Sequence, residues 1–325
     1  MVQASLAATS ALNRPDAVPA KFRDPAVTAT GAPRASVSLT ALKTLWVNTG
    51  SLCNIECDGC YIESGPTNDR LSYITRAEAA RYFDEITVRD LPVEEIGFTG
   101  GEPFMNKDLL AMAGDALARG LRVLILTNAM KPMWHHRDEL STLKAQHGSA
   151  LALRVSIDHF TQIKHEAIRG TATWAPMIQG LRWLSEHGFN LSIASRLAWG
   201  ETDAETRAGF ASLFSEIGVM LDAGAPSDLI LFPDMDAARD VPEITEACWD
   251  ILDVNPADMM CASSRMVVKR KGAAAPVVVP CTLLPYDAAF EMGETLSDAE
   301  TSVSLNHPHC ATFCVLGGAS CSGGS

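Results

Sequence analysis

Short runs of apolar and β-branched residues recur along the chain at intervals that fit alternating strands and helices. The runs that predict strands are residues 45–48, 95–98, 121–126, 151–156, 190–195 and 228–232. Amphipathic stretches predict helices at residues 75–88, 107–119, 174–186, 203–217 and 243–252. Thr75 and Glu78 have the spacing of a capping box, and Gly120 and Gly188 are typical helix ends. The pattern therefore predicts six β/α repeats.

Strands separated by helices pair in parallel through right-handed crossovers. We therefore expect an α/β fold, a partial (β/α)6 TIM-like barrel with its site at the carboxyl ends of the strands. Residues 50–73 would form a loop without regular structure, and a loop of that length in a compact domain usually has a function. The residues that follow the predicted strand ends are Cys53, Gly100, Gly101, Glu102, Asn128, Ser156, Asp158, Arg196 and Asp234.

Three cysteines in that loop, Cys53, Cys57 and Cys60, have the spacing Cys-x3-Cys-x2-Cys. A four-iron cluster needs four ligands, so three thiolates leave one iron open to another molecule. A structural zinc site needs four protein ligands, and no fourth Cys or His lies within twenty residues of Cys60, so zinc is the weaker interpretation. A glycine-rich turn, Gly100-Gly101-Glu102, follows the next predicted strand.

The cysteine loop and the later Gly-Gly-Glu turn together resemble the radical SAM superfamily over about residues 40–236. The resemblance implies that the three cysteines hold a [4Fe-4S] cluster with S-adenosylmethionine (SAM) at its open iron. Reductive cleavage of SAM would give a 5′-deoxyadenosyl radical that abstracts hydrogen from the substrate. Gly100, Gly101 and Glu102 would contact the methionine amino group through backbone carbonyls and a carboxylate.

The passage from Arg154 to Gly170 is similar to a Ser-Ile-Asp…His…Arg-Gly passage in SPASM-type maturases. The similarity implies that Ser156 and Arg169 contact SAM, although a surface salt bridge is the alternative for Arg169. Asn128 and Arg196 are further cofactor-binding candidates, since both follow strand ends. The catalytic residue is not identified by sequence, and the candidates are Asp158, His159 and Asp234. For His159, Arg196 and Asp234, the alternative is that they are ordinary polar residues of the cavity wall.

One position departs from the superfamily's usual loop. An aromatic residue usually precedes the third cysteine and packs on adenine, whereas this chain has Gly59 there and Tyr61 after Cys60. The sequence therefore does not predict that Tyr61 stacks on the adenine.

A second cysteine pattern follows the repeats. Cys261 and Cys281 flank a predicted hairpin at residues 266–279 with its turn near Gly272, and Cys310, Cys314 and Cys321 follow. The region resembles the twitch form of the auxiliary domain in the SPASM group, which implies a second [4Fe-4S] cluster. We expect Cys261, Cys281, Cys310 and Cys314 as its ligands, with Cys321 as the rival. A zinc knuckle or buried thiols remain the alternative.

Six cysteines remain after the first three, which is too few for the two further clusters of a full SPASM domain. Cys248 is expected to be a buried thiol, and His307 and His309 to be loop residues, although either histidine could orient or replace a cluster ligand. The expected organisation is a tail at residues 1–37, the radical SAM barrel at 38–237 and the auxiliary domain at 238–325.

The 325 residues include 26 Lys and Arg against 39 Asp and Glu, a net charge of −13 that would repel an extended nucleic acid backbone. No secretory signal and no apolar stretch long enough for a membrane span is evident, which predicts a cytoplasmic protein without a membrane partner. The expected partners are a substrate and a flavodoxin- or ferredoxin-type electron donor.

The substrate is expected to be a small molecule or a peptide, because relatives with such auxiliary domains act on both. About 40 residues precede the predicted barrel, which favours a small molecule or a short peptide bound without a separate recognition domain. Two alternatives stay open, namely a peptide maturase of the RiPP type and a non-catalytic iron-sulfur electron-transfer protein. An electron carrier would not need Glu102, Ser156 and Arg169 together.

Overall fold

A curved sheet of eight strands forms the centre of the protein, in a computed structural model that describes residues 21–235 and 240–318. Six strands follow one another in parallel, as the repeats predict, and the fold is a partial TIM-like barrel whose sheet does not close. The strands are β1 Ser36–Val37, β2 Thr44–Asn48, β3 Glu95–Thr99, β4 Arg122–Thr127, β5 Leu151–Ser156, β6 Asn190–Leu197, β7 Leu229–Pro233, β8 Ser264–Val268, β9 Val277–Val279 and β10 Val303–Ser304. The spatial order in the central sheet is β7-β6-β5-β4-β3-β2-β8-β9.

Eight α-helices lie within the described residues. They are α1 Arg76–Val88, α2 Leu109–Ala118, α3 Lys131–His135, α4 Arg137–His147, α5 Gln162–Arg169, α6 Trp174–Glu186, α7 Asp203–Ile217 and α8 Cys248–Leu252. A π-helical turn spans Cys310–Val315, and 3₁₀ turns span Pro103–Met105, Gly148–Ala150, Pro256–Asp258, Met260–Ala262, Ala288–Phe290 and Asp298–Glu300. No helix in the described part of the chain has both the length and the apolar character needed to cross a membrane.

The sheet is buried on both faces, which explains the continuous apolar runs in its strands. Along β2, Leu45 and Val47 pack into the core beneath the helices, while Trp46 packs into a second core on the opposite face. Gly97 on β3 lies beside Trp46, and a Cβ atom there would be 2.4 Å from the indole ring. A glycine is therefore required next to that tryptophan.

The C-terminal hairpin extends the central sheet. Strand β8 pairs in parallel with β2, and β9 pairs antiparallel with β8. The hairpin at residues 266–279 is therefore present as the sequence predicts, but its attachment to β2 places the second cysteine region against the barrel. The expected boundary at residue 237 lies outside the described residues.

The part of the expected tail that is described, residues 21–37, lies against the C-terminal region. Strand β1 pairs antiparallel with β10. Arg34 and Glu243 form a buried ion pair of 2.5 Å with side chains 0% and 6% exposed. Glu243 also accepts the backbone N–H groups of Phe22 and Ala29, each at 2.6 Å. The backbone just after Glu243 pairs with the tail, since the N–H of Ala35 donates to the carbonyl of Ile244 at 2.9 Å and the N–H of Glu246 donates to that of Pro33 at 3.2 Å, so α8 begins only at Cys248 rather than at residue 243.

Helix α1 has the predicted capping box between Thr75 and Glu78. Helices α6 and α7 have the predicted bounds, and α7 begins with a second capping box at Thr202 and Glu205. The sequence did not predict α3, α4 and α5. Helix α4 is mostly polar and buries only Leu140, so its apolar periodicity is weak.

Candidate functional site

The loop after β2 brings Cys53, Cys57 and Cys60 to one cavity of about 190 Å³. The N–H of Cys60 donates to the carbonyl of Cys57 at 3.3 Å, and the N–H of Cys53 donates to the carbonyl of Gly65 at 3.1 Å. These bonds fold the loop into compact turns. No disulfide links the eight cysteines within the described residues, so none of these three thiols is blocked.

The glycine-rich turn after β3 is bonded directly to the cysteine loop. The N–H of Gly101 donates to the carbonyl of Gly50 at 2.8 Å, and the N–H of Glu102 donates to the carbonyl of Leu52 at 3.1 Å. A Cβ atom on Gly101 would lie 2.1 Å from that Leu52 oxygen. Only glycine allows this approach, so Gly101 fixes the turn against the backbone just before Cys53.

The cavity lies at the carboxyl ends of the parallel strands, where the fold predicts a site. Helix α5 and the C-terminal region also contribute to its wall. The sequence-predicted residues that line it are Cys53, Cys57, Cys60, Gly100, Gly101, Asn128, Ser156, Asp158, Arg169 and Arg196. Glu102, His159 and Asp234 do not line it.

Glu102 is 1% exposed, and its carboxylate joins the ends of two strands. One oxygen accepts the hydroxyl of Thr127 at 2.9 Å and the N–H of Phe104 at 3.2 Å, and the other accepts the N–H of Asn128 at 2.8 Å. Burial raises the pKa of Glu102 to about 7, against the opposing effect of these three donors. That geometry does not favour the expected contact between this carboxylate and an amino group, because its oxygens already accept the Thr127 hydroxyl and the N–H groups of Phe104 and Asn128.

Asp158 is a buried carboxylate held between two arginines. Its oxygens accept Nε of Arg169 at 2.6 Å and Nε of Arg196 at 2.9 Å. Burial alone would raise the pKa of Asp158, but the two guanidinium groups outweigh it and lower the pKa to about 2. Asp158 is therefore an ionised anchor, and a role as proton donor or acceptor near neutral pH does not fit it.

Arg196 connects this anchor to the cysteine loop. Its Nη1 donates to the carbonyl of Gly59 at 3.0 Å, and its Nη2 donates to the carbonyl of Asp58 at 3.1 Å. The N–H of Asp58 donates in turn to the carbonyl of Ile168 on α5 at 2.8 Å. The anchor therefore fixes the segment between Cys57 and Cys60 from two sides.

The other two catalytic candidates lie outside the cavity wall. His159 is 3% exposed, with Nδ1 accepting the N–H of Thr161 at 2.9 Å and Nε2 lying 3.2 Å from Glu201. Burial lowers the pKa of His159, which favours the neutral ring. Asp234 is partly exposed and lies between two residues that do line the cavity, Pro233 and Met235.

The cavity includes residues that sequence reasoning missed. Ser195 on β6 is 1% exposed, and its hydroxyl has no hydrogen-bond partner among the residues that the structure describes. Arg154 on β5 and the C-terminal residues Leu283 and Phe313 also line the wall, and Phe313 packs on Phe232 with ring centroids 5.2 Å apart. A charged residue inside an apolar strand was the available signal for Arg154, whereas nothing local marks Leu283 or Phe313.

Four of the remaining cysteines surround a second, smaller cavity of about 20 Å³, and they are Cys261, Cys281, Cys310 and Cys314. All four are buried. Burial, followed by the other three thiols, raises the pKa of Cys281 well above its ordinary value. His309, Met259 and Met260 complete part of the wall.

The remaining cysteines differ from those four. Cys248 is half-buried and accepts the N–H of Thr245 at a sulfur-to-nitrogen distance of 3.4 Å, and it lines neither cavity. Cys321 lies outside the described residues.

Thiolates are the usual ligands of iron-sulfur clusters, and three thiols line the first cavity. Burial raises the pKa of Cys53 to about 12 and also raises the pKa of Cys57, so thiolates there need bound cations. Within residues 21–235 and 240–318, no three His, Cys, Asp or Glu side chains converge closely enough for one metal ion. The ligands of a four-iron cluster each bind a separate iron, so such a cluster does not require three side chains to converge on one ion.

Residues 47–208 match the family model described as the radical SAM superfamily. The chain belongs to the radical SAM superfamily. Members of this superfamily are enzymes that use SAM and a [4Fe-4S] cluster, and the open three-cysteine loop and its adjoining cavity fit both.

Two curated proteins resemble part of this chain. GTP 3′,8-cyclase of Rhodococcus opacus (strain B4) is 31% identical over 122 residues, which cover 37% of this chain and 34% of that protein. The antilisterial bacteriocin subtilosin biosynthesis protein AlbA of Bacillus subtilis (strain 168) is 24% identical over 143 residues, which cover 44% of this chain and 30% of AlbA. The matched segments thus span about a third of these relatives.

Two solved structures share the fold. SuiB of Streptococcus suis bound to S-adenosylmethionine superposes with a TM-score of 0.56 at 12% identity, covering 78% of this chain and 63% of SuiB. Native anSMEcpe with bound AdoMet gives a TM-score of 0.55 at 15% identity, covering 81% of each chain. At these identities the likeness concerns the fold.

Proposed function

We propose that Cys53, Cys57 and Cys60 hold the [4Fe-4S] cluster and that SAM binds at its open iron inside the 190 Å³ cavity. The observation that carries this proposal is the direct bonding of the Gly100-Gly101 turn to the cysteine loop, which puts both motifs on one cavity wall. Cys53, Cys57 and Cys60 would hold the cluster, which with SAM would supply the radical chemistry for abstracting hydrogen from the substrate.

The chain's own residues bind and orient SAM. The backbone of Gly100 and Gly101 provides carbonyl oxygens for the methionine amino group, and Ser156 provides a hydroxyl for the ribose or carboxylate. Asp158 holds Arg169 at 2.6 Å so that the guanidinium keeps one position on the wall, where it can pair with the SAM carboxylate. The neighbouring apolar side chains Phe232 and Phe313 keep water away from the reacting atoms.

We further propose an auxiliary [4Fe-4S] cluster on Cys261, Cys281, Cys310 and Cys314. Leu283 lines both cavities, and Phe313 lines the first while its neighbours Cys310 and Cys314 line the second. Four thiols fill all four ligand positions, and apolar side chains separate them from the first cavity. This arrangement favours electron transfer over direct binding of the substrate by the auxiliary cluster. A flavodoxin- or ferredoxin-type protein would supply electrons to the first cluster.

The C-terminal residues Leu283 and Phe313 form an apolar part of the cavity wall. We infer that the substrate places one compact chemical group in this cavity. A small molecule meets this condition, and so does one side chain of a peptide. The peptide class is supported by the match to AlbA, a bacteriocin biosynthesis protein. A non-catalytic electron carrier is disfavoured, because it would not need the cavity beside the cysteine loop.

Anaerobic incubation with dithionite and SAM tests the proposed activity. We expect 5′-deoxyadenosine from the parent and at least a tenfold lower yield from Ser156→Ala. Ser38→Ala is the matched control, since the Ser38 hydroxyl lies on the surface and bonds Ser302 at 3.0 Å. With a deuterated candidate substrate, deuterium should appear in 5′-deoxyadenosine. Equal yields from the parent and Ser156→Ala would contradict the proposed role of Ser156.

A further inference from the structure

Arg265 on β8 is a buried arginine beside the second cysteine cavity, and it is 1% exposed. Its Nη1 donates to the carbonyl of Cys261 at 2.6 Å and to that of Ser264 at 2.8 Å. Its Nε donates to the carbonyl of Ala299 at 2.8 Å, and its Nη2 to that of Thr301 at 3.1 Å. All four partners are backbone carbonyls. Among the residues that the structure describes, no carboxylate lies within ion-pair distance of Arg265.

Such a charge is costly to bury without a negative partner. Two other arginines with largely buried side chains have one, since Arg34 pairs with Glu243 at 2.5 Å and Arg169 pairs with Asp158 at 2.6 Å. The groups near Arg265 that can carry negative charge are the thiols of Cys261 and Cys281. Carbonyl dipoles solvate the guanidinium in part, and an anionic group at the cysteine cavity would balance its charge.

We propose that Arg265 is the counter-charge of the auxiliary iron-sulfur cluster and sets its reduction potential. This inference rests on the proposed cluster at Cys261, Cys281, Cys310 and Cys314. Arg265 acts through the cluster's charge and touches no substrate, so it is a tuning and positioning residue. The carbonyl bond to Cys261 fixes the guanidinium beside the first of the four ligands.

The direction of the effect follows from charge alone. One electron from a donor reduces the cluster and adds one negative charge, while Arg265 stays protonated and exchanges no proton. A nearby buried cation stabilises the reduced state more than the oxidised state. Arg265 therefore raises the reduction potential, and its loss makes reduction harder.

The test uses the full chain carrying Cys53→Ala, Cys57→Ala and Cys60→Ala, so that the auxiliary cluster is the only one left. Arg265→Gln removes the charge at similar size, and Arg265→Lys keeps it. Arg182→Gln is the matched control, because Arg182 also donates to a backbone carbonyl, that of Ile217, and lines neither cavity. An anaerobic redox titration followed by electron paramagnetic resonance gives each potential, and iron analysis gives the loading.

We expect Arg265→Gln to lower the equilibrium constant for reduction at least tenfold, which is 59 mV for a one-electron couple. Arg265→Lys should recover most of that change, and Arg182→Gln should match the parent. Loss of iron in Arg265→Gln but not in Arg265→Lys would also support the proposal, because it shows that the charge holds the cluster.

Three results would overturn the inference. If the auxiliary cluster has the same reduction potential in Arg265→Gln as in the parent, Arg265 does not tune that potential. If the folded Arg265→Gln and Arg265→Lys variants lose iron equally, Arg265 acts through its packing and not through its charge. If the protein carrying only the three cysteine-to-alanine replacements binds no iron, the proposed auxiliary cluster is refuted, and with it the basis of the inference.

Discussion

Replacing Asp158 with asparagine should destabilise the protein markedly, because the carboxylate balances two arginines. The side chain is 5% exposed, and the arginines lower its pKa from 3.8 to about 2. At 1.36 kcal/mol per pKa unit, this shift corresponds to about 2 kcal/mol. Asparagine also leaves Arg169 and Arg196 without their counter-charge, and breaking a buried pair typically costs about 3–5 kcal/mol. We expect Asp158→Asn to lower the free energy of unfolding by about 3 kcal/mol at pH 7.

Urea unfolding of the cluster-free protein, followed by tryptophan fluorescence, measures this change. Asp115→Asn is the control, since Asp115 pairs at 2.7 Å with Arg76, whose side chain is 58% exposed. A surface pair of that kind contributes about 1 kcal/mol or less. A loss for Asp158→Asn no larger than that of the control would refute the reasoning.

The pH dependence provides an independent check. A carboxyl whose pKa is lower in the folded state stabilises the fold above its unfolded pKa, and it loses that contribution as the pH falls through the folded value. The difference between the parent and Asp158→Asn should therefore be complete above about pH 4 and shrink between about pH 4 and pH 2. A difference that stays constant over this range would contradict the ion-pair explanation.

Three further changes have definite expected outcomes. Gly101→Ala should weaken SAM binding at least tenfold by calorimetry, because its Cβ would meet the Leu52 carbonyl at 2.1 Å, whereas Gly114→Ala, with its nearest neighbour at 3.6 Å, should bind normally. Cys281→Ala should lose about half of the iron in anaerobically reconstituted protein, and a full complement of iron would contradict the auxiliary cluster. Phe313→Ala should lower the free energy of unfolding by about 3–5 kcal/mol in urea, since it removes a buried ring, and an unchanged midpoint would contradict its packing.

The sequence predicted the six parallel strands to within one or two residues, because a sheet buried on both faces leaves continuous apolar runs. It predicted α1 and α7 well, since their first turns contain capping residues such as Thr75. Helix α4 was missed because a helix that buries one leucine has little periodicity. The pairing of β8 with β2 could not be predicted, because these strands are about two hundred residues apart and nothing local specifies the edge they share.

The parts of the site that belong to short local motifs could be predicted from the sequence. Cys53 and Gly101 belong to short motifs with fixed spacing, and the structure brings them to one wall. Glu102 and His159 satisfied the same rule of position after a strand, yet their side chains bond into the protein rather than lining the cavity. Position after a strand fixes where a residue lies but leaves open which way its side chain points. Phe313 was missed because it reaches the cavity only through the C-terminal packing.

The most direct test of the central claim is reductive cleavage of SAM by anaerobically reconstituted protein. The parent should form 5′-deoxyadenosine with dithionite, and the variant with Cys53, Cys57 and Cys60 all replaced by alanine should form none while keeping the iron bound by its remaining cysteines. Formation of 5′-deoxyadenosine by that variant at the parent's rate would contradict the account.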